Sequence, residues 1–305
     1  MIPRDEILLF DGATGTELER RGADLSLPLW SARVLIDAPE LLSAVHQAYL
    51  EAGAQAITSN TFRTHQRSLA KAGLGDQATK LTRSAAAIAI EARNSINPST
   101  LVLGSVAPLE DCYRPDLAPA ADVCAHEHGA IMHALIEAGV DGLMIETMCA
   151  AHELRAAAEV AQAIAPGRWG LCYTGRPDQP GVLLCGTPVS DLIDTLEHAA
   201  FIGINCVAAT TLQSHVSHAR AIFDDAIPIA AFGNVGYATP EGAWISTDAV
   251  EPERFAGYAA DWLNAGATII GGCCGTTPDT TAAMADMIES SPIRIHPFEQ
   301  GLDTN

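Results

Sequence analysis

Eight short apolar runs recur along the chain: Ile7–Ala13, Ala56–Phe62, Leu101–Pro108, Gly142–Met148, Trp169–Thr174, Phe201–Val207, Ile227–Val235 and Thr268–Gly275. Each is continuous rather than alternating, as strands buried on both faces of a parallel sheet should be. Amphipathic stretches separate them and predict helices over Pro39–Ala52, Asp122–Ala138, His152–Ala165, Ser190–Ala199, Thr211–Asp224, Pro252–Ala265 and Pro278–Ser290. Ala70–Asn94 predicts a further helix, or two, interrupted by Gly73 and Gly75. Thr277 followed by Pro278 and Asp279 reads as an N-cap, a first helical position and a first-turn acid.

A weak internal repeat links helices to strands. Leu50-Glu-Ala-Gly-Ala resembles Ile136-Glu-Ala-Gly-Val and Leu263-Asn-Ala-Gly-Ala. Each copy ends a helix and enters an apolar run, with a glycine placed to take the left-handed conformation. The copies lie too far apart for a solenoid. Eight βα units in 305 residues predict an α/β fold, a (β/α)8 TIM barrel over residues 1–291 with a C-terminal extension over 292–305. A doubly wound sheet is the alternative.

The chain has 37 acidic and 17 basic residues, a net charge of −20, with no basic run. Nucleic acid and anionic membrane surfaces are therefore not expected partners. No apolar window approaches the ~20 residues of a transmembrane span. The N-terminus lacks a charged stretch followed by an apolar one, so a cytoplasmic location is expected. Nothing in the pattern sets an oligomeric state.

In a barrel, chemistry collects where strands end and βα loops begin. Polar residues at those ends include Asp11-Gly-Ala-Thr-Gly-Thr16, Ser59-Asn-Thr-Phe62, Glu146-Thr147, Asn205-Cys206, Gly233-Asn234 and Gly271-Gly-Cys-Cys-Gly-Thr276. Eight cysteines are present. Of these, Cys206, Cys273 and Cys274 fall at the ends of the sixth and eighth runs, second neighbours in a closed barrel. Three converging thiolates suit Zn2+ and leave its fourth tetrahedral position open, the pattern of a catalytic site. A thiol bound there would ionise at neutral pH and act as a nucleophile. The competing reading is small apolar residues in a glycine-rich turn. Cys112, Cys124, Cys149, Cys172 and Cys185 read as packing or loop residues.

Glu146 and Asp11 could hold a substrate ammonium, or cap a helix, or pair with an arginine. A charge directly ending an apolar strand is costly unless used, which favours a functional Glu146; Asp11-Gly12 is also ordinary turn chemistry. His126 and His128 point to different helix faces, and His215 and His218 read as a solvated face.

Together Asp11-Gly-Ala-Thr-Gly-Thr, Pro28-Leu-Trp-Ser-Ala32, Ser59-Asn-Thr-Phe62, Gly104-Ser-Val-Ala-Pro108, Glu146-Thr, Gly203-Ile-Asn-Cys206 and Gly271-Gly-Cys-Cys-Gly-Thr-Thr-Pro278 resemble the homocysteine S-methyltransferase family, in order and over almost the whole chain. The resemblance implies the barrel, zinc on Cys206, Cys273 and Cys274, and homocysteine as methyl acceptor. It further implies a substrate site at Asp11, Gly12, Thr61, Glu146 and Asn234, with Glu146 and Asp11 on the homocysteine amino group and Asn234 in the open zinc position when substrate is absent.

Two departures stand out. Phe232-Gly-Asn-Val-Gly236 replaces the family's Tyr-Pro-Asn-x-Gly, and the Leu109–Pro119 loop differs from its Gly-Pro-Tyr-Gly run. That loop is expected over the methyl donor. Members that use methylfolate through cobalamin carry further domains, for which this length leaves no room. Pro28–Ala32 most resembles the short members that use S-methylmethionine or S-adenosylmethionine, with betaine or another donor as the alternative. Trp30, Glu110, Asp111 and Tyr113 are candidates for a mouth that receives a cationic donor. A non-catalytic zinc- or thiol-binding barrel would not need Glu146 and the Asp11 loop. A Schiff-base aldolase needs a strand-end lysine, and the chain's two lysines, Lys71 and Lys80, lie in the Ala70–Asn94 segment; an amidohydrolase would want strand-end histidines, which are missing.

Overall fold

The computed structural model describes residues 6–223, 227–239, 243–290 and 294–295. Eight parallel strands form its centre: β1 (Glu6–Leu9), β2 (Ala56–Thr58), β3 (Leu101–Val106), β4 (Gly142–Met148), β5 (Trp169–Tyr173), β6 (Phe201–Ala208), β7 (Ile229–Asn234) and β8 (Ile269–Gly272). They pair in sequence order from β2 to β8, and β8 pairs with β1. A parallel bridge between Phe10 and Ala56 joins β1 to β2 and closes the ring. The Asp11 N–H to Ala56 carbonyl and Gln55 N–H to Leu9 carbonyl bonds reinforce it. The fold is therefore the (β/α)8 barrel, and closure excludes the doubly wound sheet.

Eight helices follow the strands: α1 (Pro39–Glu51), α2 (Ala78–Ile96), α3 (Ala121–Glu137), α4 (Ala151–Ile164), α5 (Ile193–Leu196), α6 (Ala209–Ile222), α7 (Pro252–Asn264) and α8 (Pro278–Glu289). Six match the expected segments to within two residues at both ends. The predicted helix at Ser190–Ala199 is instead a 3-10 turn, Val189–Leu192, followed by the single turn α5; Leu192 at φ −117° and ψ 3° interrupts the helical backbone. A short helix, Gln66–Ala70, precedes the expected Ala70–Asn94 segment, which itself holds a 3-10 turn, Gly75–Gln77, and most of α2, whose start is at Ala78. Thr277 caps α8 as expected, accepting from the Thr280 N–H.

The repeated Ala-Gly corners work as anticipated. Gly53, Gly139 and Gly266 take φ of 98°, 90° and 106°. The residue after each glycine returns its N–H to a carbonyl five positions back: Ala54 to Tyr49, Val140 to Leu135 and Ala267 to Trp262. This closes the helix end and aims the chain into the next strand.

Alternate strand residues build two apolar layers. Leu8, Phe10, Ala56, Leu103, Met144, Cys172, Phe201, Ala230, Phe232 and Ile269 fill the barrel's interior. The opposite faces, such as Ile7, Leu9, Ile202 and Ile270, pack against the helices with Trp169, Trp262 and Phe255. His215 belongs to this second layer: it is buried while His218 is exposed, because it shares the inward face of α6 with Leu212, Val216 and Ala219. The solvated reading held for His218 alone.

Of the expected C-terminal extension, only Arg294–Ile295 lies among the described residues, and it pairs in parallel with β1. No described helix is long and apolar enough to cross a membrane.

The interior leaves little slack at Gly203. A Cβ there would lie 2.5 Å from Cys172 Sγ and 2.7 Å from the Ala230 carbonyl oxygen. Because backbone is among the obstacles, β6 would have to shift. Gly203→Ala should destabilise the fold by about 1–3 kcal/mol, read as a lower urea midpoint; an unchanged midpoint would refute this packing.

Candidate metal and acceptor site

The C-terminal ends of the strands open into a cavity of about 690 Å3. Two irregular strands shape its floor. The β4–β5 register slips between Ile145 and Met148, and the β6–β7 register slips between Asn205 and Val207. At each slip one residue takes a left-handed φ: Thr147 at 61° and Cys206 at 60°. Such a backbone costs on the order of 1–3 kcal/mol for a non-glycine residue and persists only when its surroundings enforce it. Here Asn205 enforces it. Its Oδ1 accepts the Thr147 N–H at 2.9 Å, and its Nδ2 donates to Thr147 Oγ1 at 2.8 Å. One side chain thus ties the two bulges together, across the intervening β5.

The bulge on β6 brings Cys206 toward the Cys273–Cys274 turn that ends β8. The three sulfurs lie within 4.8 Å of one another, with Cys206 and Cys274 Sγ 3.7 Å apart. Among the described residues this is the one group of three or more potential ligands so close together. Hydrogen bonds from Cys273 and Cys274 hold the Cys206 thiol well below its usual range; the same bonds push Cys273 and Cys274 well above theirs. One thiolate can form unaided, but the second and third require a positive charge between them. The donor set therefore fits a soft divalent cation bound through three thiolates. Each of the eight cysteines is a free thiol.

Asn234 supports this cluster rather than lining the cavity. Its Oδ1 accepts the Cys274 N–H at 3.0 Å, and its Nδ2 lies 3.9 Å from Cys206 Sγ. From the mouth side, the Tyr113 hydroxyl lies 2.9 Å from Cys206 Sγ.

Two carboxylates face the same space. Asp11 is buried, and its Oδ2 accepts the Thr58 N–H at 2.8 Å. Glu146 accepts a hydrogen bond from Ser105 Oγ, with Asn205 Nδ2 at 3.5 Å from its other oxygen. What exposure Glu146 keeps is toward the cavity that it lines. Burial pushes Asp11 up to about 8 and Glu146 up to about 7. Neither makes a salt bridge with an arginine, lysine or histidine among the described residues, so a ligand ammonium would supply the missing countercharge.

The remaining expected residues divide. Gly12 lines the cavity and must be small, since a Cβ would stand 2.7 Å from Thr276 Oγ1 and 2.9 Å from the Tyr49 ring. Thr61 does not line it: its hydroxyl donates to the Ser105 carbonyl at 2.6 Å and pairs with Ser59 Oγ. Trp30, Asp111 and Tyr113 line the mouth. Glu110 does not; its carboxylate pairs with Lys71 at 2.6 Å and Arg67 at 3.4 Å, on the flank of the barrel. Cys112, read as a packing or loop residue, is a loop residue that lines the cavity. Sequence reasoning passed over Ser105, Asn205 and Arg63, although the first two lie inside motifs it quoted.

The model of the family described as homocysteine S-methyltransferase matches residues 8–288. The chain belongs to this family. It is 33% identical over 302 residues to the homocysteine S-methyltransferase of Escherichia coli, covering 93% of this chain and 96% of that one. It is 30% identical over 301 residues to homocysteine S-methyltransferase YbgG of Bacillus subtilis, covering 92% and 93%. The crystal structure of the metallated form of the homocysteine methyltransferase MmuM from Escherichia coli superposes with a TM-score of 0.79 at 32% identity, covering 92% of this chain and 96% of that one. Family membership makes the chain a methyltransferase. It also gives the cavity's thiol cluster and carboxylates a chemical context.

The buried carboxyls impose a pH dependence. The unfolded chain releases the Asp11 proton near its ordinary value of 3.8, whereas the fold holds it to about 8. The stability contributed by this group is thus complete at low pH and is lost as pH rises through that window. Asp11→Asn keeps an acceptor for the Thr58 N–H and removes the titration. Metal-free Asp11→Asn should therefore gain stability relative to the unaltered chain between pH 5 and pH 8, in about the range where the two states differ in protonation. Urea midpoints at the two pH values measure this; a difference independent of pH would show that Asp11 is ionised throughout.

Proposed function

We propose that this chain transfers a methyl group from a sulfonium donor, S-methylmethionine or S-adenosylmethionine, to the thiol of homocysteine, forming methionine. The observation that carries this reading is the group of three sulfurs within 4.8 Å at a cavity that Asp11 and Glu146 also line. Cys206, Cys273 and Cys274 hold zinc. Bound there, zinc supplies a Lewis acid that keeps an acceptor thiol ionised near neutral pH.

Glu146 and Asp11 take the acceptor's ammonium, an attraction strengthened by the low-dielectric site. Gly12 leaves room for the backbone at that end. The reaction is then a displacement at carbon. The acceptor thiol loses its proton to solvent, its sulfur forms a bond to the methyl carbon, and the donor's methyl–sulfur bond breaks. The electron pair stays with the donor sulfur, which becomes a neutral thioether. The donor already carries its leaving group, so the chain contributes mainly alignment and the exclusion of water.

Trp30, Phe62 and Tyr113 line the mouth and suit a sulfonium by cation–π attraction. Arg63 is the one basic residue among those that line the cavity, which disfavours polyanionic methylfolate. A metal-storage barrel would leave the cavity and its two unpaired carboxylates without a role. Eight free thiols and the charge of −20 support a cytoplasmic location and a small-molecule rather than nucleic-acid partner.

Purified protein should hold about one zinc per chain against a weak chelator. Cys206→Ser, Cys273→Ser or Cys274→Ser should each release it, because two thiolates are too few to retain the ion. Metal content measured by atomic emission decides; full occupancy in all three variants would remove the assignment.

The activity is tested by methyl transfer to homocysteine from a panel of donors. S-methylmethionine should support turnover, S-adenosylmethionine should do so at a similar or lower rate, and methylfolate should not. Turnover with betaine alone would overturn the donor while leaving the acceptor. Glu146→Ala should raise the homocysteine KM about ten- to hundredfold with zinc still bound; an unchanged KM would make Glu146 structural.

A further inference from the structure

Arg63 sits on the loop after β2, half-buried, and lines the mouth of the cavity. Its guanidinium carbon lies 5.3 Å from the centroid of the Phe62 ring, which meets the Trp30 ring edge-on at 5.5 Å. One of its five N–H donors is accounted for: Nη1 donates to the Glu110 backbone carbonyl at 3.0 Å. Among the described residues no carboxylate pairs with it. The nearby acids are engaged elsewhere. Glu110 turns its carboxylate to Lys71 and Arg67, Glu127 also pairs with Arg67, and Asp111 Oδ1 accepts the Tyr113 N–H.

Seven other arginines among the described residues have carboxylate partners. Arg20 and Arg21 share Glu17, Arg33 reaches Asp24, Arg93 pairs with Asp141 and Arg114 with Asp116. Arg155, Arg168, Arg176 and Arg254 have no carboxylate partner among the described residues either, but of these unpaired arginines only Arg63 lines the cavity, beside an aromatic pair. An unpaired guanidinium at the mouth of a low-dielectric pocket is a ready fork for a planar carboxylate.

We propose that Arg63 binds the α-carboxylate of the methyl donor, so that the donor site selects a sulfonium that is also an amino acid. This rests on the methyl-transfer reading above. The acceptor's place is set by the thiols, Asp11 and Glu146, at the ends of the barrel strands. Arg63 lies on the loop after β2, against Phe62, which meets Trp30, and bonds the Glu110 carbonyl, at the start of the loop whose Tyr113 hydroxyl reaches Cys206 Sγ. A donor anchored there by its carboxylate lays its sulfonium against the aromatic rings and points its methyl group inward. The side chain that gives the mouth its positive charge therefore recognises the end of the donor that does not react.

The test uses the zinc-loaded full chain and its Arg63→Gln and Arg63→Lys variants, with homocysteine as acceptor. The two donors are S-methylmethionine and its decarboxylated analogue, 3-aminopropyl-dimethylsulfonium, which keeps the ammonium and the sulfonium. In Arg63→Gln the S-methylmethionine KM should rise about ten- to hundredfold with kcat little changed. The analogue's KM should be the same in the variant and the unaltered chain, and Arg63→Lys should recover part of the loss. An unaltered S-methylmethionine KM overturns the assignment. Equal losses for both donors also overturn it, leaving Arg63 as a clasp for the loop through the Glu110 carbonyl; a rise confined to the homocysteine KM would move it to the acceptor. An unaltered chain that neither binds nor turns over S-methylmethionine sinks the donor reading and this assignment together, whereas a change in the variant alone bears only on Arg63.

Discussion

Three thiol sulfurs within 4.8 Å of one another cannot all ionise without a cation among them. That repulsion is the constraint around which the floor of the barrel is arranged. The chain keeps the sulfurs together despite it, with left-handed backbone at Cys206 and with Asn234, which accepts the Cys274 N–H and turns its Nδ2 to the Cys206 sulfur. A group held at such cost is poised for a ligand that neutralises it. A divalent metal would do so, and would be the largest local charge in the cavity.

The carboxylates pose the complementary problem. Asp11 and Glu146 are pushed toward neutrality by burial, Asp11 the further. A ligand with an ammonium group at one end and a thiol at the other would relieve both strains in one binding event. Asn205 makes the two halves mechanically one: it lies next to Cys206 on β6, bonds Thr147 next to Glu146 on β4, and reaches toward Glu146 itself. The spacing between Glu146 and Cys206 is thus set by strand geometry, not by loops, as a site on rigid elements requires. The mouth is built differently. Its residues come from the segments after β1, β2 and β3, where side chains such as Tyr113 and Asp111 are exposed. Loops of this kind can vary while the strand-borne groups stay in place, although Tyr113 reaches across to Cys206 Sγ at 2.9 Å.

Continuous apolar runs and Ala-Gly corners made the barrel legible, because period and turn chemistry are local properties of a chain. The thiol cluster was legible too. Two neighbouring glycine-flanked cysteines and a third at another strand end have few uses, and barrel topology alone puts those ends near each other. Glu146 stood out because a charge ending an apolar strand demands a reason. The α5 segment was misread for the converse cause: its composition is helical, but Leu192 leaves the helical region and splits it into a 3-10 turn and a single helical turn. His215 was misread because a histidine's polarity says nothing about which way the helix is rotated.

What the sequence by itself determined, then, was the order of elements, the closed architecture and the identity of the groups that can do chemistry. Only the tertiary structure decided which of them face the same space. Thr61 and Asn234 turned out to brace the site from behind, Glu110 to sit on the flank with Lys71, and Cys112 and Arg63 to line the cavity. The reason is geometric. A strand alternates its side chains between two faces, and one bulge, as at Thr147 or Cys206, reverses that alternation locally. Where a bulge falls depends on hydrogen bonds between strands distant in sequence, such as those Asn205 makes to Thr147, and no local pattern encodes them.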